Sequence, residues 1–343
     1  MPGYRVGILG ATGLVGERVL SILEERRFPV RELRLWGSER SAGRRVTFAG
    51  EALAVTVPEA AAFADLDVVF GAAGNDQSAA WTPVARAAGA LVVDKASLFR
   101  MQPDVPLVVP EVNPEALPPS PRGALVASPN CSTIPVVMAL RALSRLGTVE
   151  RVQVATYQAV SGSGRDALEE FEAQETALAR GAPAEARVYP SPIARNVLAH
   201  CDAFGPDGFT REETKLVQES RKILARPDLR LAATAVRVPV RVGHSEALAV
   251  EFDRPVEVEA ALDALAAFPG LAVVPDPPAG AVPTPRDVEG RDDVLVGRVR
   301  RDPSTPDGRG LMLWLVSDNL RKGAALNAVQ IAERMLVGTT VAP

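Results

Sequence analysis

A glycine-rich segment near the N-terminus constrains the fold of this chain more than any other feature of the sequence. The segment spans residues 10–16 and lies between a short apolar run, residues 6–9, and a helical pattern over residues 14–26. Glycines between a strand and a helix permit a tight turn and a close backbone approach to pyrophosphate, while the helix start offers free N–H groups. Such turns also join strands to helices without binding a ligand. Because both flanking elements are in place, we favour a dinucleotide site. Its predicted residues are Gly10, Ala11, Thr12, Gly13, Leu14 and Val15.

The rest of the N-terminal part alternates apolar runs with helical patterns, which indicates a mostly parallel sheet covered on both faces. Buried strands are predicted at residues 33–36, 54–57, 67–70, 90–93, 107–109 and 124–127. From about Arg151 the predicted strands are longer and several follow one another through short turns, so we expect them to be antiparallel. They span residues 151–158, 231–242, 247–252, 294–300 and 311–316, with helices at 165–179, 210–224, 256–268 and 324–336. The predicted fold class is an α/β domain of the Rossmann type followed by an α+β domain.

The bulk composition excludes several kinds of partner. Lys and Arg number 38 and Asp and Glu number 42, so the formal charge of −4 provides no basic field for nucleic acid or an anionic membrane. The longest apolar stretches fall far short of the ~20 residues that a membrane helix requires. The N-terminus lacks the layout of a signal peptide. The two cysteines, Cys131 and Cys201, could form one disulfide at most, and we therefore expect a cytoplasmic protein.

The end of the second strand bears on which nucleotide is bound. An acidic residue there would bind the ribose 2′-hydroxyl of NAD, whereas an arginine accommodates the 2′-phosphate of NADP. Here the strand is followed by a segment that contains Ser38, Glu39, Arg40 and Ser41. Glu39 leaves open a plain polar turn with a solvated Arg–Glu pair. Arg40 with two hydroxyl groups favours NADP, and we predict that Ser38, Arg40 and Ser41 bind its 2′-phosphate.

Cys131 is the candidate nucleophile. It lies between a predicted buried strand and the apolar helical run at residues 134–146. At a helix start, the dipole and the unpaired N–H groups stabilise a thiolate, and together with the Asn130 amide they could hold an oxyanion. An isolated cysteine is also commonly a small buried hydrophobe, so position alone leaves both interpretations open.

A thiolate nucleophile needs a proton carrier, and His244 is the better candidate of the two histidines. It follows the predicted strand 231–242, in which Arg237 and Arg241 alternate with valines and would share one face. A histidine near arginines is typical of an anion-binding active site. We interpret His200, beside Cys201, as structural.

The predicted helix after Thr210 carries several charged residues in its first turn. Thr210 and Glu213 fit a capping box, which accounts for both of them structurally. Glu212 and Lys215 are three residues apart and share a helix face, most simply as a solvated ion pair.

Five motifs in the expected order resemble the aspartate-semialdehyde dehydrogenase family over residues 4–336. They are the glycine-rich turn, Asn130-Cys131-Ser132-Thr133, and the segments 155–162, 237–244 and 318–325. The resemblance implies a homodimer that reduces L-4-aspartyl phosphate to L-aspartate 4-semialdehyde with NADPH, in lysine, threonine and methionine biosynthesis.

The resemblance also implies roles for individual residues. Cys131, next to Asn130, would form a thioester with the acyl group, His244 would act as general acid and base, and Gln158 would orient the acyl group. Residues expected to bind the charged groups of the substrate are Arg100 and Lys215 for the phosphate, Arg237 for the α-carboxylate and Glu212 for the ammonium group. Further cofactor-binding residues are expected to be Ser161, Gly162 and Asn319.

The same resemblance implies a division into domains. Residues 1–132 and 323–343 would form the dinucleotide-binding domain, with the C-terminal helix packed back on it. Residues 133–322 would form a glyceraldehyde-3-phosphate-dehydrogenase-like catalytic and dimerisation domain. The sequence departs from the usual family pattern at Ala73, Lys95, Pro135 and Arg195, which bears on rate and cofactor preference rather than on reaction type.

Two alternatives remain open from the sequence. Another acyl-phosphate reductase of the same architecture, such as N-acetyl-glutamyl-phosphate reductase, surrounds its cysteine with Pro-Gly-Cys-Tyr, unlike residues 129–132 here. A non-catalytic relative that binds nucleotide would be expected to lose the nucleophile or its base, whereas this chain retains both Cys131 and His244.

Overall fold

The structure is a computed structural model that describes residues 3–275 and 280–338, and these residues form two compact units. The chain passes from the first unit to the second between Asn130 and Cys131, and it returns between Gly323 and Ala324. Residues 339–343 of the predicted C-terminal segment lie outside the described residues. Over the described part of the chain, no helix combines the length and apolar character that a membrane crossing demands.

The helices and strands are numbered along the whole chain. The α-helices are α1 (Leu14–Glu25), α2 (Asn75–Ala87), α3 (Thr133–Leu143), α4 (Arg165–Ala179), α5 (Arg211–Ile223), α6 (Val258–Ala266), α7 (Pro285–Val288) and α8 (Leu326–Ala332). The strands of the first unit are β1 (Tyr4–Leu9), β2 (Val30–Trp36), β3 (Arg45–Phe48), β4 (Glu51–Thr56), β5 (Val68–Gly71), β6 (Leu91–Asp94) and β7 (Leu125–Ala127). The strands of the second unit are β8 (Val149–Gln158), β9 (Arg230–Arg237), β10 (His244–Phe252), β11 (Leu271–Val273), β12 (Val294–Arg301) and β13 (Gly310–Ser317).

The first unit is a seven-stranded sheet in the order β3-β4-β2-β1-β5-β6-β7. Its neighbouring strands are parallel except for β3 and β4, so the predicted Rossmann-type sheet is confirmed. Helix α8 belongs to this unit, and its Val329 and Ile331 share one apolar cluster with Ile22 and Leu23 of α1. The helix predicted over 324–336 is less regular than expected, because π-helical turns at Arg321–Ala325 and Glu333–Val337 flank α8.

Two details of the first sheet differ from the sequence predictions. Residues 107–109 form no strand beyond a single bridge from Leu107 to Ala127. The Asn113 side chain instead accepts the Val109 N–H at 2.9 Å and donates to the Leu107 carbonyl at 2.9 Å, so a side-chain amide supplies the backbone bonds that a strand would make. Strand β3 was not predicted, because it is a short edge strand with a half-exposed face.

The second unit is a six-stranded sheet in the order β11-β12-β13-β10-β8-β9. The prediction of antiparallel strands is wrong for one of the four pairs between predicted strands, since β8 pairs with β9 in parallel. Strand β11, which was not predicted, also pairs in parallel, with β12. Helices α4 and α5 lie between β8 and β9 in the chain, which gives the long connection that a parallel pair requires. The strand predicted over 231–242 ends at Arg237, close before Pro239, which has no N–H to donate to a ladder.

Strand register places the candidate site at one end of this second sheet. Gln158, the last residue of β8, pairs with Arg237, the last residue of β9. His244 begins β10 and pairs with Ser317 of β13, while its neighbour Ser245 pairs with Tyr157. Arg237, Gln158 and His244 therefore stand side by side at the ends of three adjacent strands, and all three are buried.

Candidate active site

Cys131 lies directly before α3, between strand β7 and the helix, as the sequence predicts. It is in no disulfide and is partly accessible, so the position is not that of a sealed core cysteine. Gly323 packs against it: a Cβ atom on Gly323 would lie 3.0 Å from the Cys131 Cβ. Pro135 falls in the first turn of α3, where a missing N–H leaves no intrahelical bond unmade.

The Gln158 side chain is fixed by three acceptors, one of them in Ser132, the neighbour of Cys131. Its Nε2 lies 2.8 Å from Ser132 Oγ, 3.3 Å from Thr156 Oγ1 and 3.3 Å from Glu212 Oε1. A carboxylate only accepts hydrogen bonds when ionised, so Glu212 identifies the NH₂ end of the amide. The Gln158 carbonyl oxygen consequently points away from this cluster as an acceptor.

His244 is held as a neutral ring. It is 1% exposed, and its Nδ1 accepts the Ala159 N–H at 3.0 Å. Burial lowers the pKa of His244 well below its ordinary 6.5, and the positive charge of Arg237 lowers that pKa further. Because Nδ1 accepts a backbone N–H, the neutral ring carries its proton on Nε2.

Arg237 and His244 converge on Gly162. The position of a Cβ on Gly162 would lie 3.1 Å from Arg237 Nη1 and 3.1 Å from His244 Nε2. Arg237 Nη1 also donates to the Ala159 carbonyl at 2.6 Å. The expectation that Arg241 shares this face is wrong, because the strand has ended; Arg241 is exposed and pairs with Glu172.

Asn319 and Ser161 support the same corner of the site. Asn319 Oδ1 accepts the N–H of Gly243, the residue before His244, at 2.9 Å. Asn319 Nδ2 donates to Ser161 Oγ at 3.0 Å. This amide therefore joins the segment after β13 to the turns that carry His244 and Gly162.

Helix α5 brings two charged residues to the Gln158 cluster. The predicted capping box is present, with the Thr210 N–H donating to Glu213 Oε2 at 2.7 Å and the Glu213 N–H to Thr210 Oγ1 at 3.3 Å. The interpretation of Glu212 and Lys215 as a solvated pair is wrong, because Glu212 is buried and lies against Gln158. Lys215 Nζ lies 3.2 Å from Glu212 Oε2 and 2.7 Å from Asp202 Oδ2.

The first unit carries the remaining predicted residues in three places. Gly10 has a φ of +81°, and a Cβ there would lie 2.9 Å from the Ala72 carbonyl oxygen, so only glycine suits this turn. Thr12 Oγ1 donates to Ser41 Oγ at 3.0 Å, which links the glycine-rich turn to the turn after β2. Ser38 and Arg40 are exposed at a cleft whose lining residues are Gly37, Ser38, Glu39, Arg40, Val57, Pro58, Gln77 and Trp81.

Arg100 lies in the turns that follow β6, and Asn130 is buried at the end of the first of the two chain segments that make up this unit. The Arg100 guanidinium donates to the Lys95 carbonyl. Asp94, which the sequence did not single out, holds the start of this segment: it accepts the Ala96 N–H at 2.7 Å and Thr82 Oγ1 at 2.9 Å. Burial raises the pKa of Asp94 above its ordinary 3.8.

The structure thus brings most of the predicted catalytic and substrate residues together within the second unit. One cluster contains Gln158, Glu212 and Lys215, and the other contains His244 and Arg237 around Gly162. Sequence reasoning missed Ser132 and Asp202, which complete the first cluster. Their partners lie 26 and 13 residues away in the chain, and no local spacing signals such contacts.

Comparison with known proteins decides the family. Residues 5–119 match the model of the semialdehyde dehydrogenase NAD binding domain, and residues 140–322 match that of the semialdehyde dehydrogenase dimerisation domain. The aspartate-semialdehyde dehydrogenase of Synechocystis sp. is 46% identical over 332 residues, which cover 97% of each chain. The chain belongs to the aspartate-semialdehyde dehydrogenase family. The first unit is accordingly its NAD(P)-binding domain.

Solved structures of aspartate-semialdehyde dehydrogenases have the same fold. That of aspartate semialdehyde dehydrogenase II from Vibrio cholerae, complexed with ASA, has a TM-score of 0.93 at 43% identity and covers 98% of this chain and 99% of its own. The enzyme from Candida albicans, solved with NADP, has a TM-score of 0.73 at 25% identity and covers 97% of this chain and 98% of its own. The predicted fold class, a Rossmann-type domain followed by a catalytic and dimerisation domain, is confirmed.

Proposed function

We propose that this protein reduces L-4-aspartyl phosphate to L-aspartate 4-semialdehyde and phosphate with NADPH, reversibly, in the biosynthesis of lysine, threonine and methionine. The observation that carries the proposal is the row of Arg237, Gln158 and His244 at the ends of adjacent strands in a chain that covers known aspartate-semialdehyde dehydrogenases almost end to end. The structure of a homologue complexed with aspartate semialdehyde supports the same substrate.

The proposed chemistry begins at Cys131. Its thiolate attacks the acyl carbon, the bond from that carbon to the phosphate oxygen breaks, and a thioester remains as phosphate leaves. The hydride that reduces the thioester is the contribution of the bound nicotinamide cofactor. The resulting hemithioacetal oxyanion then expels the Cys131 thiolate and releases the aldehyde.

His244 and Gln158 act on the reacting acyl group. The neutral His244 ring directs an N–H from Nε2 toward the space over Gly162, where it would stabilise a hemithioacetal oxyanion through a hydrogen bond. The Gln158 NH₂ is committed to Ser132 and Glu212, so its carbonyl oxygen would orient the substrate by accepting a hydrogen bond from the ammonium group. Asn130 lies next to the nucleophile and contributes its amide to the same oxyanion.

The charged groups of the substrate have matching residues. The Arg237 guanidinium suits the α-carboxylate, and the Glu212 carboxylate suits the ammonium group. Arg100 and Lys215 are assigned to the phosphate.

NADP is the proposed cofactor. The turn from Gly10 to Val15 would bind the pyrophosphate, and the exposed Arg40, with Ser38 and Ser41, would bind the 2′-phosphate. Ser161, Gly162 and Asn319 would complete the cofactor site. The Candida albicans relative solved with NADP supports this choice.

We also propose a homodimer that works in the cytoplasm. The match of residues 140–322 to a dimerisation domain supports the dimer. One face of the second sheet supports it too, since small and aromatic side chains line a groove there, among them Ala155, Ala247, Ala249 and Trp314. Cys131 is in no disulfide, and a thiolate nucleophile favours a reducing compartment.

The test is phosphate-dependent reduction of NADP with L-aspartate semialdehyde, for the native protein and for Cys131→Ser. Turnover by the native protein and a loss of at least about a thousandfold in the variant are expected, because a serine hydroxyl remains protonated at neutral pH. Turnover with a different aldehyde alone would assign the protein to a sister acyl-phosphate reductase. No turnover with any aldehyde would leave the non-catalytic alternative.

A further inference from the structure

Asp202 lies beside the substrate cluster and is held from two sides. Its Oδ1 accepts the Ala203 N–H at 2.8 Å, and its Oδ2 lies 2.7 Å from Lys215 Nζ. Its backbone has a φ of +67°, a conformation that aspartate and asparagine tolerate better than most residues. Two hydrogen bonds therefore hold the Asp202 carboxylate against Lys215.

Lys215 makes two ion pairs of different character. Glu212 lies 3.2 Å away, its side chain is 11% exposed, and its other oxygen faces Gln158. Asp202 is nearer, at 2.7 Å, and its side chain is 34% exposed. Glu212 thus belongs to the buried acyl side of the cluster, whereas Asp202 contacts the lysine from the more accessible side.

A second anion on Lys215 would conflict with this arrangement. The lysine already has a charge-assisted hydrogen bond to Asp202 at a short distance. A phosphate group that binds the same ammonium would come close to the Asp202 carboxylate, and like charges at such separations repel. The two anions therefore compete for one cation.

We propose that the Asp202 carboxylate takes the place of phosphate on Lys215: it orients the lysine ammonium group in the free protein and is displaced when phosphate binds. This inference rests on the proposed function, in which Lys215 binds the phosphate. The Asp202 carboxylate can leave Lys215 by rotation of its side chain alone. The other hydrogen bond of this carboxylate is to the N–H of the next residue, Ala203, so no distant part of the chain has to move. Asp202 therefore keeps Lys215 oriented and weakens the binding of phosphate.

Asp202→Asn tests the competition. Asparagine keeps the size, the backbone conformation and the bond to the Ala203 N–H but removes the charge, so the KM for phosphate should fall about fivefold, as expected for loss of a partly exposed ion pair. The KM for L-aspartate semialdehyde should stay within about twofold. Asp228→Asn is the matched control, since Asp228 is also ion-paired, with Arg226 on the surface, and should leave both values unchanged.

A binding measurement separates this inference from the proposed function. The dependence of the melting temperature on inorganic phosphate, at constant ionic strength, should give a lower apparent Kd for Asp202→Asn than for the native protein. A native protein that turns over the semialdehyde, with a KM and Kd for phosphate that are unchanged or higher in the variant, would overturn the inference alone. A native protein without that turnover would overturn the proposed function, and the phosphate Kd would still decide whether Asp202 competes.

Discussion

Gly162 sets how closely an arginine and a histidine approach the same point. Both side chains are buried and tied to the backbone through Ala159, so neither can withdraw from an added methyl group. A Cβ at 3.1 Å from both Arg237 Nη1 and His244 Nε2 is tighter than normal van der Waals contact. We expect Gly162→Ala to lower kcat/KM at least about tenfold, equivalent to ~1.4 kcal/mol of transition-state stabilisation.

Steady-state kinetics with L-aspartate semialdehyde check this prediction. Ser163→Ala is a suitable control, because Ser163 lies in the same turn, is exposed, and accepts a hydrogen bond from Tyr189. If both substitutions changed kcat/KM by the same small factor, the turn would be able to shift and the crowding at Gly162 would be unimportant.

Arg40 is the residue whose loss should change cofactor discrimination. Its guanidinium is exposed at the cleft after β2. NADP differs from NAD by a 2′-phosphate, which would bind at this cleft. We expect Arg40→Ala to raise the KM for NADP at least about tenfold while that for NAD changes little. Kinetics with each nucleotide would contradict the assignment if both KM values rose by the same factor.

At this scale the sequence was informative wherever a residue belongs to a local motif. Cys131 at a helix start and the Thr210–Glu213 capping box follow from spacing along the chain, and the structure has both features. Asp202 and Ser132 matter through contacts with Lys215 and Gln158 that only tertiary folding creates. The spacing of Glu212 and Lys215 showed that they pair but not that the glutamate is buried.

Strand β10 contains a buried carboxyl group, Glu246, that the sequence pattern does not predict. Glu246 is 1% exposed, and neither carboxylate oxygen has a hydrogen-bond partner among the described residues. Its strand partners are Thr156 on β8 and Leu315 on β13. Burial raises the pKa of Glu246 well above its ordinary 4.5, so the folded strand holds a neutral carboxylic acid.

This burial should make stability depend on pH. The folded protein retains the Glu246 proton to higher pH than the unfolded chain, so its contribution to stability is complete below pH 4.5 and is lost as the pH rises toward the folded-state pKa. Glu246→Gln cannot ionise. We expect the variant to gain stability relative to the native protein as the pH rises above 4.5, by up to about 1.4 kcal/mol per pH unit.

Urea denaturation at several pH values measures the free energy of unfolding for both proteins. A difference that does not change between pH 5 and pH 8 would contradict the buried neutral acid. Infrared spectroscopy provides a second measurement, since a protonated carboxyl band at neutral pH should be present in the native protein and absent from Glu246→Gln.

The element boundaries show where periodicity is sufficient and where it fails. Helix α4 spans the residues that its apolar pattern predicts, because one buried face determines it. The pairing direction of β8 and β9 could not be read from their similar patterns, since direction depends on how the intervening chain crosses over. Residues 107–109 are as apolar as a strand, yet the Asn113 side chain takes the backbone bonds.

The proposed homodimer would form through the groove on the second sheet. Ala249 lies among the residues that line it and is half-buried, while Tyr157 and Trp314 of the same sheet pack with ring centroids 5.5 Å apart. We expect Ala249→Arg to dissociate the proposed dimer, because a buried unpaired charge is costly at an interface. Sedimentation velocity should show a monomer for this variant.

Ala60→Arg is the matched control for this change. It adds the same charge at an exposed alanine of the first unit and should leave the dimer intact. Identical sedimentation of Ala249→Arg and native protein, both as dimers, would move the interface to another surface.

The candidate nucleophile, Cys131, lies where the chain passes from the first unit to the second. Cys131 is the first residue of the second unit, and Gly323 ends the long segment before the chain returns. A Cβ added to Gly323 would lie 3.0 Å from the Cys131 Cβ. Insertions and circular permutations are tolerated mostly at exposed loop tips. Here both junctions border the candidate nucleophile, so chimaeras with crossovers at 130/131 or 323/324 should be among the least functional, and exchange of the units would have to occur at loops remote from both.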